Sequence, residues 1–365
     1  MTRRYQHRGF VLVRSTTDPG DLPTPPVADV SDLAVEDEGW AWLAKVWARE
    51  DTREALTIAS PDLAVRIGEL MANPRPGQAR KRRRVAMSAA SYLLRWQRRV
   101  TPFGLFAGVV PAIIGPAAGH LGRGHRAVAR ADAGWVAALA HRLDPLVRER
   151  LTVTADSTAV IRDGRLIVSS RADPGVQRPG QARELSVRWT RPVWATLEMA
   201  ASPVGYAELA SRLAAQFPAV APDTIRSMVN GLLDGGFLIT SLRPATTAVD
   251  PVAHLTEALV SAGAEQLPSV APVLHELERI NTQIRAHNAC ADTAKSAALR
   301  AEVAGRMRSL TSISGYPLAV DVRLDGRIGI PRQVLDEAAA AADVLLRLTT
   351  RPFGSAAWLD YHARF

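Results

Sequence analysis

The chain has 365 residues, of which 47% are hydrophobic and 22% charged, a globular composition that argues against disorder. Its single cysteine, Cys290, excludes a disulfide framework and a cysteine-type zinc site within one chain. The net charge of +9 is local, because Leu70 to Ala131 holds twelve Lys/Arg and no Asp or Glu; removing its +12 leaves −3 elsewhere. A local basic patch of this kind indicates a polyanionic partner.

The first predicted elements are a strand and two helices. Residues 5–14 are typical of a strand that enters a core. Helices are predicted over residues 30–58 and 60–72, the second with Ser60 as N-cap and Pro61 at its first position.

A basic helix is predicted over about residues 80–99. Its polar residues recur at helical spacing and share one face: Arg84, Ser88, Ser91, Arg95 and Arg99. An apolar flank follows one position later, formed by Val85, Ala89, Tyr92 and Trp96. The helix is expected to end near Val100, because Pro102 disfavours helical backbone at Thr101.

The apolar stretch at residues 101–119 is predicted to form buried strands and turns. It contains three prolines and falls just short of the ~20 residues of a membrane-spanning helix. The N-terminus lacks the apolar core of a signal peptide. We therefore expect a soluble, cytoplasmic protein without a membrane span.

The middle of the chain changes from a helix to short strands. A helix is predicted from Asp132, a candidate N-cap, to about residue 150. Strands follow over residues 151–155, 159–162 and 165–169, and Asp163 with Gly164 predicts a hairpin turn between the last two.

A strand, three helices and a returning strand complete this middle region. The strands are predicted at residues 185–189 and 237–240, and the helices at 192–201, 205–217 and 222–235. This order of elements indicates a winged-helix-like module.

The C-terminal part is predicted to be mainly helical, with one hairpin. Helices dominate residues 250–310, and another covers 333–349. Residues 318–324 and 328–330 are predicted as paired strands around a turn at 325–327. The fold class is therefore α+β, with mixed helices and short antiparallel sheets. We divide the chain into residues 1–150, 151–243 and 244–365.

The segment that ends the basic helix resembles the signature of the lantibiotic (class I lanthipeptide) dehydratases. Eight consecutive residues carry the resemblance: Thr101, Pro102, Phe103, Gly104, Leu105, Phe106, Ala107 and Gly108. Further elements agree in order, namely the strand at residues 10–14, Asp132 with Trp135, the segments 235–240 and 242–244, and residues 361–365. The resemblance is to the N-terminal, tRNA-dependent glutamylation region of that family, and it covers essentially the whole chain.

The resemblance implies an activity and a set of catalytic residues. Such enzymes transfer an aminoacyl group, usually glutamyl, from charged tRNA to Ser/Thr hydroxyls of a ribosomal precursor peptide, and a second site eliminates glutamate. The family's transfer residues correspond to Arg14, Arg95, Arg99, Thr101, Asp132 and Asp321. The resemblance implies no cofactor and no metal; aminoacyl-tRNA is a co-substrate.

Local alternatives remain open for four of these residues. Arg95 and Arg99 could belong to a structural ion-pair face, Asp132 could only cap a helix, and Thr101 could only precede a turn. Six basic residues are predicted to contact the tRNA backbone: Arg80, Lys81, Arg82, Arg83, Arg84 and Arg98. The alternative for the run at 80–84 is a solvated helix end.

By the same resemblance, residues 151–243 correspond to an insert of the family, and they are predicted to bind the leader of the precursor peptide as that insert does. An extended leader would add a strand to a sheet edge beside a helix. The candidate contacts are Leu185, Ser186, Val187, Arg188, Trp189, Ile225, Met228, Val229 and Leu232. A purely structural module is an alternative. A DNA-binding winged helix is disfavoured, because residues 223–234 contain one Arg and two Asp.

Measured against full-length family members, the chain is expected to lack the eliminating domain and the rest of the glutamylation domain. The first hypothesis is thus an N-terminal portion of a dehydratase, which leaves open whether this chain is active alone. The second is a non-catalytic leader-binding or tRNA-binding protein with a separately encoded partner. A transcription regulator is the third.

Overall fold

The computed structural model describes residues 5–18, 20–25, 33–73, 78–169, 184–312, 316–351 and 353–364. The chain forms two compact units, unit 1 (Met1–Ala127 with Asp321–Phe365) and unit 2 (Val128–Val320). Unit 1 is thus assembled from two separate stretches of sequence. The three-part division at residues 150 and 243 stays a prediction. Within the described ranges, no helix has the length and apolar character needed to cross a membrane.

Helices and strands alternate irregularly along the chain. The N-terminal elements are β1 (Val11–Thr16), α1 (Leu33–Trp47), α2 (Glu50–Ala59), α3 (Pro61–Ala72), α4 (Ala79–Arg98), β2 (Ala107–Ile114), β3 (Ala118–Leu121), β4 (Arg126–Ala131) and α5 (Ala133–Val147). The central elements are β5 (Thr152–Ala155), β6 (Val160–Arg162), β7 (Arg165–Ser169), β8 (Glu184–Arg188), α6 (Arg191–Met199), β9 (Val204–Gly205), α7 (Tyr206–Gln216), α8 (Pro222–Asp234) and β10 (Leu238–Thr240). The C-terminal elements are α9 (Pro251–Ser261), α10 (Ala271–Ala289), α11 (Thr293–Leu310), β11 (Leu318–Arg323), β12 (Gly326–Ile330), α12 (Arg332–Leu348) and α13 (Ala356–Arg364). The α+β class is confirmed.

The helical core of unit 1 is formed by α1 to α4. On α4 the buried side chains recur every three or four residues, at Val85, Ala89, Leu93 and Trp96, so that one face packs inward. The predicted apolar flank is confirmed at three of its four positions, and Tyr92 is half-buried. Burial of this face is what fixes the opposite, arginine-bearing face toward solvent.

The single helix predicted over residues 30–58 is wrong, because the structure contains two helices there. Arg49 adopts an extended conformation between α1 and α2. Its guanidinium forms ion pairs with Asp51 at 2.8 Å and Asp21 at 3.0 Å. The acidic first turn of α2, Glu50 and Asp51, suits a new helix N-terminus.

The sheet of unit 1 is organised around β2. Strand β1 pairs with β2 antiparallel, from Val11 opposite Ala112 to Thr16 opposite Ala107. The other edge of β2 binds β11 and then β12, both parallel, and β3 pairs antiparallel with β12. On one face of the sheet, Val110, Val322 and Leu324 form a small hydrophobic core. Val13, Leu105 and Ile328 pack against this core.

The hairpin predicted between residues 318–324 and 328–330 is wrong. Both strands run in the same direction along β2, with Arg323 opposite Val109 and Gly329 opposite Ile113. The chain bends at Asp325 without reversing its direction. Hydrogen bonds from the backbone of residues 122 and 124 stabilise the bend. The Asp325 carboxylate accepts a hydrogen bond from Gly124 N–H at 3.0 Å, and its carbonyl accepts one from Gly122 N–H at 2.8 Å.

In unit 2, two small sheets and three helices surround one hydrophobic core. The sheet orders are β10-β5-β9 and β6-β7-β8. Helices α6 to α8 contribute buried residues that include Val193, Leu209 and Val229. The predicted hairpin turn between β6 and β7 is confirmed, since Asp163 and Gly164 both have positive φ, 51° and 68°. The name winged helix stays a prediction from the order of elements.

Candidate functional site

The end of α4 presents arginines and a threonine to solvent. The last helical residue is Arg98, and the Arg99 N–H donates to the Arg95 carbonyl at 2.9 Å. Arg99 then turns to extended backbone, and Arg98, Arg99 and Thr101 are exposed. The predicted helix end is confirmed, and it places three polar groups within one short connection.

Arg95 is held against an aromatic ring. Its guanidinium carbon lies 4.4 Å from the centroid of Phe103, a cation–π contact. Its Nε is buried and has no hydrogen-bond partner among the described residues. The contact fixes the orientation of the guanidinium while its remaining N–H groups stay available to an anion.

The apolar residues that follow Thr101 build the support for this arginine. Phe103 stacks on Tyr92 with centroids 6.3 Å apart, and Phe106 stacks on Trp96 at 5.2 Å. Gly104 has φ of +55°, and a Cβ there would lie 3.1 Å from the Ile58 side chain. Much of the eight-residue signature is therefore structural, since it anchors the end of α4.

Side-chain hydrogen bonds join the end of α4 to the end of β1. Trp96 Nε1 donates to the Thr17 hydroxyl at 2.8 Å, and the Thr16 hydroxyl donates to the Trp96 carbonyl at 2.5 Å. Thr16 occupies the same face of β1 as Arg14, two residues earlier, because side chains alternate along a strand. The α4 end and Arg14 thus belong to one surface of unit 1.

Arg14 and Asp321 both point away from the sheet core and are exposed. Arg14 lies opposite Val109 of β2. Val109 also lies opposite Arg323 of β11, which is exposed as well. Sequence reasoning missed Arg323; its signal was the two-residue spacing from Asp321 on a strand, which puts both on one face.

Asp132 belongs to unit 2, where it caps α5. Its carboxylate accepts hydrogen bonds from Gly134 N–H at 2.8 Å and Trp135 N–H at 3.3 Å. The predicted N-cap is confirmed. Both hydrogen bonds are accepted by the same carboxylate oxygen, Oδ1.

The basic run Arg80, Lys81, Arg82, Arg83 and Arg84 opens α4. Arg80, Lys81 and Arg84 are exposed, whereas Arg82 and Arg83 are half-buried. The Arg82 guanidinium lies 5.3 Å from the centroid of the Trp40 ring. None of the five forms an ion pair with a described residue, so the positive charge of this helix end is not neutralised there.

The predicted leader-binding residues divide into exposed and buried groups. Strand β8 pairs only with β7 among the described strands, and Leu185, Ser186 and Arg188 are exposed, whereas Val187 and Trp189 are half-buried. Met228 is half-buried. Ile225, Val229 and Leu232 are core residues of unit 2, exposed by 3%, 0% and 2%. Their spacing on α8 marks the inward face, and this burial argues against the predicted peptide contact for these three.

A comparison with known proteins identifies relatives of this chain. Subtilin biosynthesis protein SpaB of Bacillus subtilis is 26% identical over 239 residues, which are 65% of this chain and 22% of SpaB. The crystal structure of the tRNA dependent lantibiotic dehydratase MibB from Microbispora sp. 107891 is similar with a TM-score of 0.73 and 28% identity, over 88% of this chain and 31% of MibB. The chain thus spans between a fifth and a third of these relatives.

A second structural likeness supports the fold alone. The glutamylation domain TbtB from thiomuracin biosynthesis is similar with a TM-score of 0.50 and 18% identity, over 86% of this chain and 37% of that domain.

The family model described as lantibiotic dehydratase, N terminus, matches residues 48–365. This chain therefore belongs to the lantibiotic dehydratase family, in its N-terminal region.

Proposed function

We propose that the chain provides part of a site that transfers an aminoacyl group, glutamyl by preference, from charged tRNA to a Ser/Thr hydroxyl of a precursor peptide. The observation that carries the proposal is the end of α4. There Arg95 is oriented by Phe103, and Arg99 and Thr101 are exposed in the connection that follows. Membership of the family supports it.

The reaction exchanges one ester for another, so positioning and charge stabilisation can supply most of the catalysis. The peptide hydroxyl attacks the ester carbonyl carbon and loses its proton. The bond from that carbon to the tRNA ribose oxygen breaks, and the ribose oxygen takes up a proton. No cofactor or metal takes part in this exchange.

Each predicted residue has a role that suits its chemistry. Arg95 and Arg99 hold the tRNA 3′ end or the glutamyl carboxylate, because guanidinium binds such groups bidentately and stays charged. Arg14 adds charge on the same surface, and Thr101 donates to the ester oxygen. Asp321 orients or deprotonates the acceptor hydroxyl. Asp132 belongs to unit 2, and the same role for it stays a prediction from the family resemblance.

The basic run and Arg98 would contact the tRNA backbone without reading sequence. Their charges lie on one helix that carries no acidic residue, and those of Arg80, Lys81, Arg84 and Arg98 are exposed. Phosphate contacts of this kind weaken steeply as salt rises. A cytoplasmic location, where charged tRNA is made, stays a prediction.

Strand β8 is the proposed site for the leader of the precursor peptide. Its described pairing is to β7 alone, and Leu185 exposes 41% of its surface. Backbone pairing would hold an extended peptide, and the side chains of β8 would select it. Helix α8 would support this edge through its half-buried Met228.

The experiment compares Arg99→Ala with Arg66→Ala, an exposed arginine on α3, in a preparation that includes the remaining dehydratase segment. Transfer of labelled glutamate from glutamyl-tRNA to the precursor peptide is measured. We expect R99A to lower the rate at least about 100-fold, the scale of a lost oxyanion or orientation contact. Equal rates for R99A and R66A would overturn the assignment of Arg99.

A second candidate is a binding protein that acts with a separately encoded partner and does no chemistry itself. The exposed charges at the start of α4 and the exposed edge of β8 favour it, because both are binding features that need no chemistry. Leader or tRNA binding without transfer, even when the partner is supplied, would identify this case. A transcription regulator is disfavoured because α8 carries a single Arg and its Asp234 is paired with Arg148.

A further inference from the structure

We propose that Arg323 and Arg14 together bind one anionic group of the charged tRNA, either a backbone phosphate or the glutamyl carboxylate. The proposal rests on the function proposed above and adds a residue that neither the sequence signature nor the family resemblance indicated. It is carried by the register of three strands in unit 1.

The two arginines lie in one row across the sheet. Val109 of β2 is the partner of Arg14 on β1 and of Arg323 on β11. Neighbouring strands are about 4.8 Å apart, so the two arginine Cα atoms are separated by about 10 Å. Two arginine side chains whose Cα atoms are that far apart can both reach a single oxyanion above Val109.

Both side chains are on the solvent side of the sheet. The residues next to them in sequence, Val13 and Val322, pack in the core on the opposite face, together with Val110. Since side chains alternate along strands, Arg14 and Arg323 must face away from that core. Both are exposed, as this requires.

The backbone that carries Arg323 is fixed tightly against β2. A Cβ on Gly108 would lie 2.4 Å from the Val322 carbonyl oxygen, so the two strands approach closely at this point. Leu324 N–H also donates to the Val109 carbonyl at 2.9 Å. Arg323 is therefore presented from a rigid position, which reduces the entropy lost on binding.

The charge of this row is positive and not neutralised within it. Neither Arg14 nor Arg323 forms an ion pair or a side-chain hydrogen bond with a described residue. Asp321 is on the same face and supplies one negative charge, which leaves a net charge of +1 for the three groups. The end of α4, which carries Arg95 and Arg99, contacts the same face of the sheet, because the Thr16 hydroxyl donates a hydrogen bond to the Trp96 carbonyl.

The test compares Arg323→Gln with Arg327→Gln in the full chain. Arg327 is an exposed arginine of β12 that lies opposite His120 and outside the row, so it is the matched control. Binding of glutamyl-tRNA and of the same tRNA uncharged is measured over a range of salt concentrations. We expect R323Q to weaken binding about tenfold, the effect of one charged hydrogen bond, and R327Q to change it little.

The two sources of the anion give different results. Weaker binding of both tRNAs, with a salt slope lowered by about 1, identifies a phosphate. Weaker binding of glutamyl-tRNA alone identifies the carboxylate. Arg323→Lys keeps the charge but loses the bidentate geometry, and we expect it to fall between wild type and R323Q.

The proposal is overturned if R323Q and R327Q bind both tRNAs as the wild type does. Thermal melting of R323Q separates lost binding from lost folding, and R323K replaces it if it melts early. Failure of the wild type to bind either tRNA would instead contradict the proposed function, and this inference with it.

Discussion

Gly108 is the residue at which the signature segment meets the far end of the chain. The close approach of β11 leaves no room for a side chain, because a Cβ would lie 2.4 Å from the Val322 carbonyl oxygen and 2.8 Å from the Val322 Cβ. Both neighbours belong to a paired strand and cannot rotate away. The glycine is thus required by packing, independently of any contact with substrate.

Gly108→Ala should lower the free energy of unfolding by about 2 kcal/mol, because an overpacked site must shift backbone. Gly115→Ala is the matched control, since a Cβ at that position meets nothing within 4 Å. Chemical denaturation of both variants measures the difference. Equal stabilities would show that β2 and β11 separate easily, contrary to the packing described.

His287 is a buried histidine whose neutral form is selected by its neighbours. Nε2 lies 2.9 Å from the Ser296 hydroxyl and 2.5 Å from Arg300 Nη1, and Nδ1 lies 2.8 Å from Asn288 Oδ1. Because Arg300 can only donate, Nε2 must accept and Nδ1 must carry the proton. Burial lowers the pKa of His287 below its ordinary value.

Stability should therefore depend on pH through this residue. A folded-state pKa below the unfolded value of 6.5 means that the native state binds fewer protons. The contribution is complete above about pH 6.5 and is lost as the pH falls through the lowered pKa. Urea unfolding measured across this range should show a pH dependence that His287→Gln reduces. His275→Gln, at an exposed histidine on the same helix, is the matched control; an effect equal to that of H287Q would contradict the assignment.

Among the elements, those set by local chemistry were predictable from sequence. The Pro61 start of α3, the Asp132 cap of α5 and the Asp163–Gly164 turn each depend on a few adjacent residues. The pairing of β11 and β12 was not predictable in this way. An Asp-Gly pair predicts a bend, but the pair alone does not decide whether the chain reverses there. Here it does not reverse, because β2 pairs with both segments in parallel.

The candidate site shows the same division. The arginine spacing on α4 and the effect of Pro102 predicted the exposed helix end correctly. The sequence could not show whether Ile225, Val229 and Leu232 face the core or a bound peptide. Helical spacing identifies an apolar face but does not identify what packs against it. Arg323 was missed since its row depends on long-range register.

Strand β8 offers an element-scale test of leader binding. Leu185→Asp places a charge at an exposed position of the proposed edge, and Ile161→Asp does the same on β6, the opposite outer strand of that sheet. If the leader pairs with β8, L185D should weaken its binding at least about tenfold while I161D has little effect. Fluorescence anisotropy with a labelled leader peptide measures both. Equal effects would point to general destabilisation of the sheet.

At the scale of the whole molecule, unit 1 depends on two distant stretches of sequence. Residues from Asp321 onward supply the second half of β11 and all of β12, which cover one edge of β2 and complete its core through Val322 and Leu324. Without them, β2 would keep β1 but expose an unpaired edge and apolar side chains. Unit 2, by contrast, is continuous in sequence from Val128 to Val320.

This difference predicts how the chain responds to shortening. A stop after Val320 should unfold the β1–β2 region while unit 2 keeps its structure. A stop after Arg351 removes only α13 and a few flanking residues, and should change little, because the described side chains of α13 are exposed. Limited proteolysis with mass spectrometry locates the cuts, which should fall within residues 1–127 of the shorter variant alone. Protection of β1 and β2 in both variants would mean that the N-terminal stretch folds without its C-terminal strands, and would remove the reason for treating Arg14 and Arg323 as parts of one rigid row.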